Sequence, residues 1–152
     1  MPGEESLYRH ALAGRERTLG PEHPDTLVSL HNLAVLLDDH GDLSGAETLY
    51  RRALEGQERV LGPEHPDTLA CLNHLANLLH AKGDQPGAES LYRRMLAARE
   101  LTLGEEHPDT LEILDELANL LNNKGDMLGA MPLCRRVLEV ASSAGTDRCY
   151  KE

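Results

Sequence analysis

Three histidines stand beside an acid and a proline in nearly the same words. LGPEHPDTL fills residues 19–27 and again 61–69, and LGEEHPDTL fills 103–111. Imidazole next to carboxylate is the material of general acid–base chemistry and of metal ligation. A chemical site built three times and a structural joint built three times both explain the pattern. A shared metal needs its ligands about 2 Å from one ion. Packed helices lie about 8–10 Å apart, so His23, His65 and His107, set one repeat apart, are too far from one another to converge. His31, His74 and His80 are further candidate bases, but none has a paired nucleophile at helical spacing. Cys71, Cys134 and Cys149 share no metal-type or disulfide spacing, and their odd number fits a reducing compartment. No Gly-rich phosphate loop, HExxH, GxSxG or CxxC occurs. The expectation is a protein that is no enzyme, with no catalytic residue, no metal and no cofactor.

Repetition is the stronger signal. The chain divides at a fixed period of 42 into residues 7–48, 49–90 and 91–132, with a fourth copy opening as LCRRVLEV at 133, and the first two copies agree at 27 of 42 positions. A period of this size means stacked supersecondary units. Each copy holds two helical patterns. Leu27, Leu30, Leu33, Ala34 and Leu37 form one apolar stripe (helix A), and Ala88, Leu91, Tyr92, Met95 and Leu96 form another (helix B). Gly41 ends helix A in the left-handed region and Asp42 is placed to cap the helix that follows, so the two are antiparallel neighbours on a tight turn. Within the repeated motif, Pro24, Pro66 and Pro108 suit the first turn of helix A. Glu22 and Asp25 bring negative charge to its positive end, Thr26 or Asp25 can satisfy free amides there, and His23 can cap the helix or pack on the preceding helix B. The motif therefore reads as a joint.

Small residues at Ala34, Ala46 and Ala53, with Leu33, Leu37 and Tyr50 between them, resemble the tetratricopeptide repeat signature, and the 42-residue length with the GPEHPDTL connector is similar to the longer variant of kinesin light chains. The resemblance covers residues 1–141. It implies an all-α fold, a right-handed α-solenoid of antiparallel helix pairs with about seven helices. The domain boundaries are a half repeat over 1–22, repeats over 23–64, 65–106 and 107–141, and a polar tail over 142–152.

Composition agrees. The only aromatics are Tyr8, Tyr50, Tyr92 and Tyr150, leaving a core of Leu and Ala, which are helix formers. A net charge of −11 disfavours nucleic acid and anionic membrane surfaces and favours a basic or neutral protein partner. No apolar run approaches the roughly 20 residues of a membrane helix, and MPGEES lacks the features of a signal peptide, so a cytoplasmic protein is expected.

The repeats serve as each other's controls. On helix A the constant positions are 27, 30, 33, 34, 36, 37 and 41, and the changing ones are 28, 29, 31, 32, 35, 38, 39 and 40, which at 100° per residue fall on nearly opposite faces. In the family resembled, helix A lines a concave groove that holds an extended peptide or partner helix. Carried over, the groove presents Val28, His31, Asn32, Val35, Asp38 and Asp39 in the first repeat. The second presents Ala70, Asn73, His74, Asn77, His80 and Ala81, and the third Glu112, Asp115, Glu116, Asn119, Asn122 and Asn123. Asn amides both donate and accept, and so can hold a peptide backbone. No groove position carries Lys or Arg, which argues against clamping a C-terminal carboxylate. The pairs Arg51/Arg52, Arg93/Arg94 and Arg135/Arg136 read as a solvated outer face, supported by i,i+4 pairs from Glu47 and Glu89.

The ends carry a second reading. Glu4 replaces the Ala46 and Ala88 of other copies, which is tolerable only where the site is open. Met127 to Val140 form a last helix B with nothing after it to cover Leu133 and Leu138, and Pro132 inside it kinks or delays that helix. Neither end carries a polar capping face. The chain is therefore expected to be a segment of a longer array, or to homo-oligomerise through its terminal helices as an oligomerising segment of a larger adaptor or receptor-like protein. Cys149 is expected to be exposed in a frayed tail.

Overall fold

The structure is a computed structural model that describes the backbone of residues 2–150 and the side chains of residues 3–142. Among the described residues there are seven helices and no strand: α1 (Pro2–Leu19), α2 (Pro24–Asp39), α3 (Leu43–Val60), α4 (Pro66–Lys82), α5 (Gln85–Leu103), α6 (Pro108–Lys124) and α7 (Met127–Tyr150). The chain forms two compact units, Met1–Leu91 and Tyr92–Glu152. In the first, α1 packs on α2, α2 on α3 and α3 on α4, with α2 also touching α4; in the second, α6 packs on α7.

The sequence periodicity places the core. Leu27, Leu30, Leu33, Ala34 and Leu37 of α2 are buried, as are their counterparts Leu69, Leu72, Leu75, Ala76 and Leu79 of α4. Small residues let the helices approach closely. A Cβ added at Gly56 of α3 would stand 2.4 Å from Cδ2 of the buried Leu27.

Two joints alternate along the chain. After each helix A, Gly41, Gly83 and Gly125 take φ of +86°, +87° and +89°. The amides of Asp42, Asp84 and Asp126 then donate back to Leu37, Leu79 and Leu121 at 2.8 Å. The same aspartates cap the following helix, accepting from the amides of Gly45, Gly87 and Gly129 at 2.9 to 3.1 Å. The repeated His-Pro-Asp forms the other joint. Nδ1 of His23, His65 and His107 accepts from the amide of Asp25, Asp67 and Asp109, each at 3.1 Å, so the imidazole is the N-cap. The cap is neither Asp25 nor Thr26. Thr26 is fully buried, and its counterparts Thr68 and Thr110 donate to the carbonyls of Gly62 and Gly104. Pro follows each His at the first helical position, where no N–H is missed. His65→Ala is expected to cost about 1 kcal/mol, the usual value of an N-cap, read as a lowered denaturant midpoint with unchanged m-value.

Four sequence expectations are revised. Position 29 was grouped with the outward face, yet Ser29, Cys71 and Ile113 are buried. Helix A packs on more than one neighbour, and Ser29 accepts a 2.6 Å hydrogen bond from Arg15 of α1. Leu133 is buried, 8% exposed, against α6, while Leu138 is indeed 67% exposed. Pro132 sits inside α7 without ending it. α7 also continues to Tyr150, past Val140, since no Gly-Pro-Glu-His-Pro joint like 62–66, of the kind that ends the other B helices, follows to stop it. The side chain of Cys149 lies outside the described residues.

Candidate functional site

In the first unit, α2 and α4 place the expected residues at the surface. His31, Val35, Asp38, Asn73 and His74 are half-buried, and Asn32, Asp39, Asn77 and His80 are exposed. Val28, Ala70 and Ala81 are exposed beside them. In the second unit α6 exposes Glu112, Asp115, Asn119, Asn122 and Asn123, and half-buries Glu116.

The structure draws only some of these together. The rings of His31 and His74 meet edge to face with centroids 4.9 Å apart, and both contact Tyr50 of α3, at 5.6 and 5.8 Å. Tyr50 is completely buried and its hydroxyl has no hydrogen-bond partner. Below it, the Cys71 thiol donates to the Tyr50 carbonyl at 3.4 Å, and burial pushes that thiol up to about 12, which makes it a packing group. The His74 ring is held from the other side by an Nδ1 contact of 2.8 Å to the Ala70 carbonyl.

Electrostatics follows from this packing. Burial lowers His31 from 6.5 to about 4, His74 adds to the shift and Asp67 opposes it. Burial and Asp39 raise Asp38, with His74 pulling the other way; burial and Glu112 raise Glu116 in the second unit. Burial also raises Tyr50, with Asp38 contributing. The folded chain thus keeps His31 neutral where the unfolded chain takes up a proton. Stability from this group is complete above pH 6.5 and is lost as pH falls from 6.5 to 4. The loss is about 1–2 kcal/mol after allowance for the ring's partial exposure. Asp38 and Glu116 act oppositely, because acid relieves the cost of burying their charge. His31→Asn is expected to flatten the decline between pH 6.5 and 4, measured as urea midpoints at the two ends of that window.

One arrangement was legible but unread. Arg52 of α3 pairs with Glu16 of α1 at 3.1 Å, and Arg136 of α7 pairs with Glu100 of α5, each across 36 residues. Glu16, Glu58 and Glu100 recur at the repeat period just as the arginines do, and that was the available signal. The Arg51–Glu47 pair forms as expected at 2.9 Å. Glu47 also binds Lys82 of α4, and the hydrogen bond to that ammonium is the main reason its carboxyl titrates below the usual range. Partly exposed pairs of this kind contribute about 0–1 kcal/mol each. Arg52 and Arg136 thus each tie one helix B to another.

Among the described residues no group of three His, Cys, Asp or Glu side chains is arranged to hold a metal, and no helix is long and apolar enough to cross a membrane. What the surface offers is a set of amides, carboxylates and half-buried rings.

Comparison with known proteins agrees with the helix pairs. A tetratricopeptide repeat profile matches residues 2–25, 26–67 and 68–109. No curated protein matches. BtubC (BKLC) from P. vanneervenii is similar in structure with a TM-score of 0.79 at 22% identity, over 93% of this chain and 56% of that one. A Podosopora anserina protein described as a kinesin light chain with nearly identical TPR-like repeats is similar with a TM-score of 0.78 at 30% identity, over 92% of this chain and 66% of that one. A single-substitution form of that protein gives the same TM-score and identity over 67% of its length. This chain therefore spans between half and two thirds of these relatives. With the profile covering most of its length, and with kinesin-light-chain-like repeat proteins among its structural neighbours, the chain belongs to the tetratricopeptide repeat family.

Proposed function

We propose that the chain is a protein-interaction scaffold of the cytoplasm that holds an extended peptide or partner helix along the outward faces of its A helices. Tetratricopeptide repeats generally mediate protein–protein interaction and are typically non-catalytic. The observation that carries the finer reading is the chemistry of those faces. Asp38, Asp39, Glu112, Asp115 and Glu116 are exposed or half-buried on A helices whose constant residues at 27, 30, 33, 34 and 37 are core, in a chain of net charge −11. Such a surface suits a basic or neutral polypeptide, with Asn73, Asn77, Asn119 and Asn122 as donors and acceptors for its backbone. Nucleic acid and membrane surfaces are unsuited to the same charge.

The test is a fluorescence-anisotropy titration of Lys/Arg-rich and neutral peptides at two salt concentrations. The expected result is saturable, salt-sensitive binding that weakens at least fivefold when Asp38 and Asp39 become Asn, and again when Asn77 becomes Ala. Equal affinity in wild type and variants would refute this use of the surface.

A second reading has its own observation. Leu7 is 72% and Tyr8 41% exposed on α1, beside a cavity of about 450 Å³ lined with Glu4, Ala11 and Leu36. An open apolar helix face also suits association between copies. Light scattering over a concentration series separates the two: a growing oligomer indifferent to every peptide favours assembly.

A further inference from the structure

Four helix A positions that differ in every copy meet at one place in the first unit. The copies carry His31, Asn73 and Asp115 at the first, Asn32, His74 and Glu116 at the second, Asp38, His80 and Asn122 at the third, and Asp39, Ala81 and Asn123 at the fourth. His31 of α2 and His74 of α4 lie against Tyr50 of α3, and the three ring centroids form a nearly equilateral triangle with sides of 4.9, 5.6 and 5.8 Å. Tyr50 and His31 therefore lie to one side of the His74 ring, and neither covers its other face. The Nδ1 contact to the Ala70 carbonyl fixes the ring on α4, and the side chain is only half-buried. A flat aromatic surface is thus presented beside α2.

Asp38 and Asp39 border that surface. Asp38 stands close enough to His74 to be drawn down by it, against burial and Asp39, which raise it. Among the described residues, the charges that act on Asp38 are those of Asp39 and His74, and no lysine or arginine offsets them. Burial raises Tyr50, and both aspartates add to the shift, so its hydroxyl, enclosed without a hydrogen-bond partner, lies toward them. An acidic recess with an orphaned polar group in its floor is incomplete by itself. Nor does the fold require the imidazole. Tyr92, the counterpart of Tyr50 in the second unit, is also buried, and it is raised by burial and by Glu116, which stands in the place of His74. Packing around the tyrosine is met there without a ring, which leaves the ring at 74 for recognition.

We propose that this recess between α2 and α4 seats one arginine side chain of a partner polypeptide, its guanidinium lying flat on the His74 ring and donating to the carboxylates of Asp38 and Asp39. Arginine suits it better than lysine. A guanidinium is planar, stacks on aromatic faces and holds its donors in a fixed fork that carboxylate oxygens accept, whereas an ammonium is a compact, strongly hydrated point charge. This rests on the reading of the A-helix faces as a surface for basic peptides, and it adds which partner residue is read and where.

The probe is acetyl-arginine amide, titrated into the full chain while the His74 ring protons and the Asp38 backbone amide are followed by NMR, with acetyl-lysine amide as the comparison. The expected result is a saturable shift of both signals, with an affinity for the arginine amide at least fivefold above that for the lysine amide. Asp38→Asn is expected to weaken arginine binding at least fivefold. His74→Asn, which places at 74 the residue that the first copy carries at 32, is expected to remove the preference for arginine, and His74→Phe, which keeps a flat ring, to retain it. Unmoved His74 protons overturn the proposal, as do equal affinities for the two amides in wild type or an unchanged preference in His74→Asn. The wild-type comparison decides even where a variant fails to fold. A Lys-rich peptide that binds as tightly as its Arg-rich counterpart refutes the arginine seat and leaves the scaffold reading standing, whereas absence of binding by either peptide refutes both.

Discussion

Replacing Tyr50 by Ala is expected to cost about 3–5 kcal/mol, whereas replacing it by Phe is expected to cost nothing or to stabilise by up to about 1 kcal/mol. The ring is wholly enclosed between His31 and His74, so its removal opens a large void. Its hydroxyl, however, is buried without a partner, and a buried polar group left unsatisfied opposes folding. The two substitutions separate packing from polarity at one site. Denaturant titration of both variants checks the pair. A loss above about 1 kcal/mol for Tyr50→Phe would show that the hydroxyl is satisfied in solution, through a bridging water for instance.

The second large effect contrasts two leucines at the same place in different copies. Leu54→Ala is expected to cost about 2–5 kcal/mol, and Leu138→Ala to stay within about 0.5 kcal/mol. Their local sequences are similar, and only coverage differs, 6% against 67% exposed. If the Leu138 variant were as damaging as the Leu54 variant, the α7 face would be covered in solution and the protein would be self-associated. Repeating the melts at tenfold lower concentration would expose that association as a drop in stability.

These contrasts mark how far the sequence could be read. The helix pairs, the Gly-Asp turns and the apolar stripes were legible because each is local and occurs several times, so every copy checks the others. The exposure of Asn77 and Asn119 followed from the same comparison, whereas His31 and Asp38 are half-buried. The errors share a cause. Ser29, Cys71 and Ile113 vary between copies yet are buried, because a helix A packed on several neighbours has a wider apolar arc than a one-sided stripe. The contact of His31 with His74 could not be read from spacing, since the two occupy non-equivalent positions of successive copies. Likewise, Glu16 and Arg52 belong to helices separated in sequence by a whole α2, and i,i+4 logic does not reach across it.

The His-Pro-Asp joint bears on how such a chain is inherited. Its cap, its proline and its buried threonine are all supplied within one stretch of sequence, as are the glycine and aspartate of the other joint. A duplication or deletion of 42 residues therefore leaves every junction complete, with no compensating substitution needed elsewhere in the gene. Copy number is free to drift under such conditions, while residues on the exposed faces diverge copy by copy, and the 27 shared positions of the first two copies against their 15 differences are the record of that process.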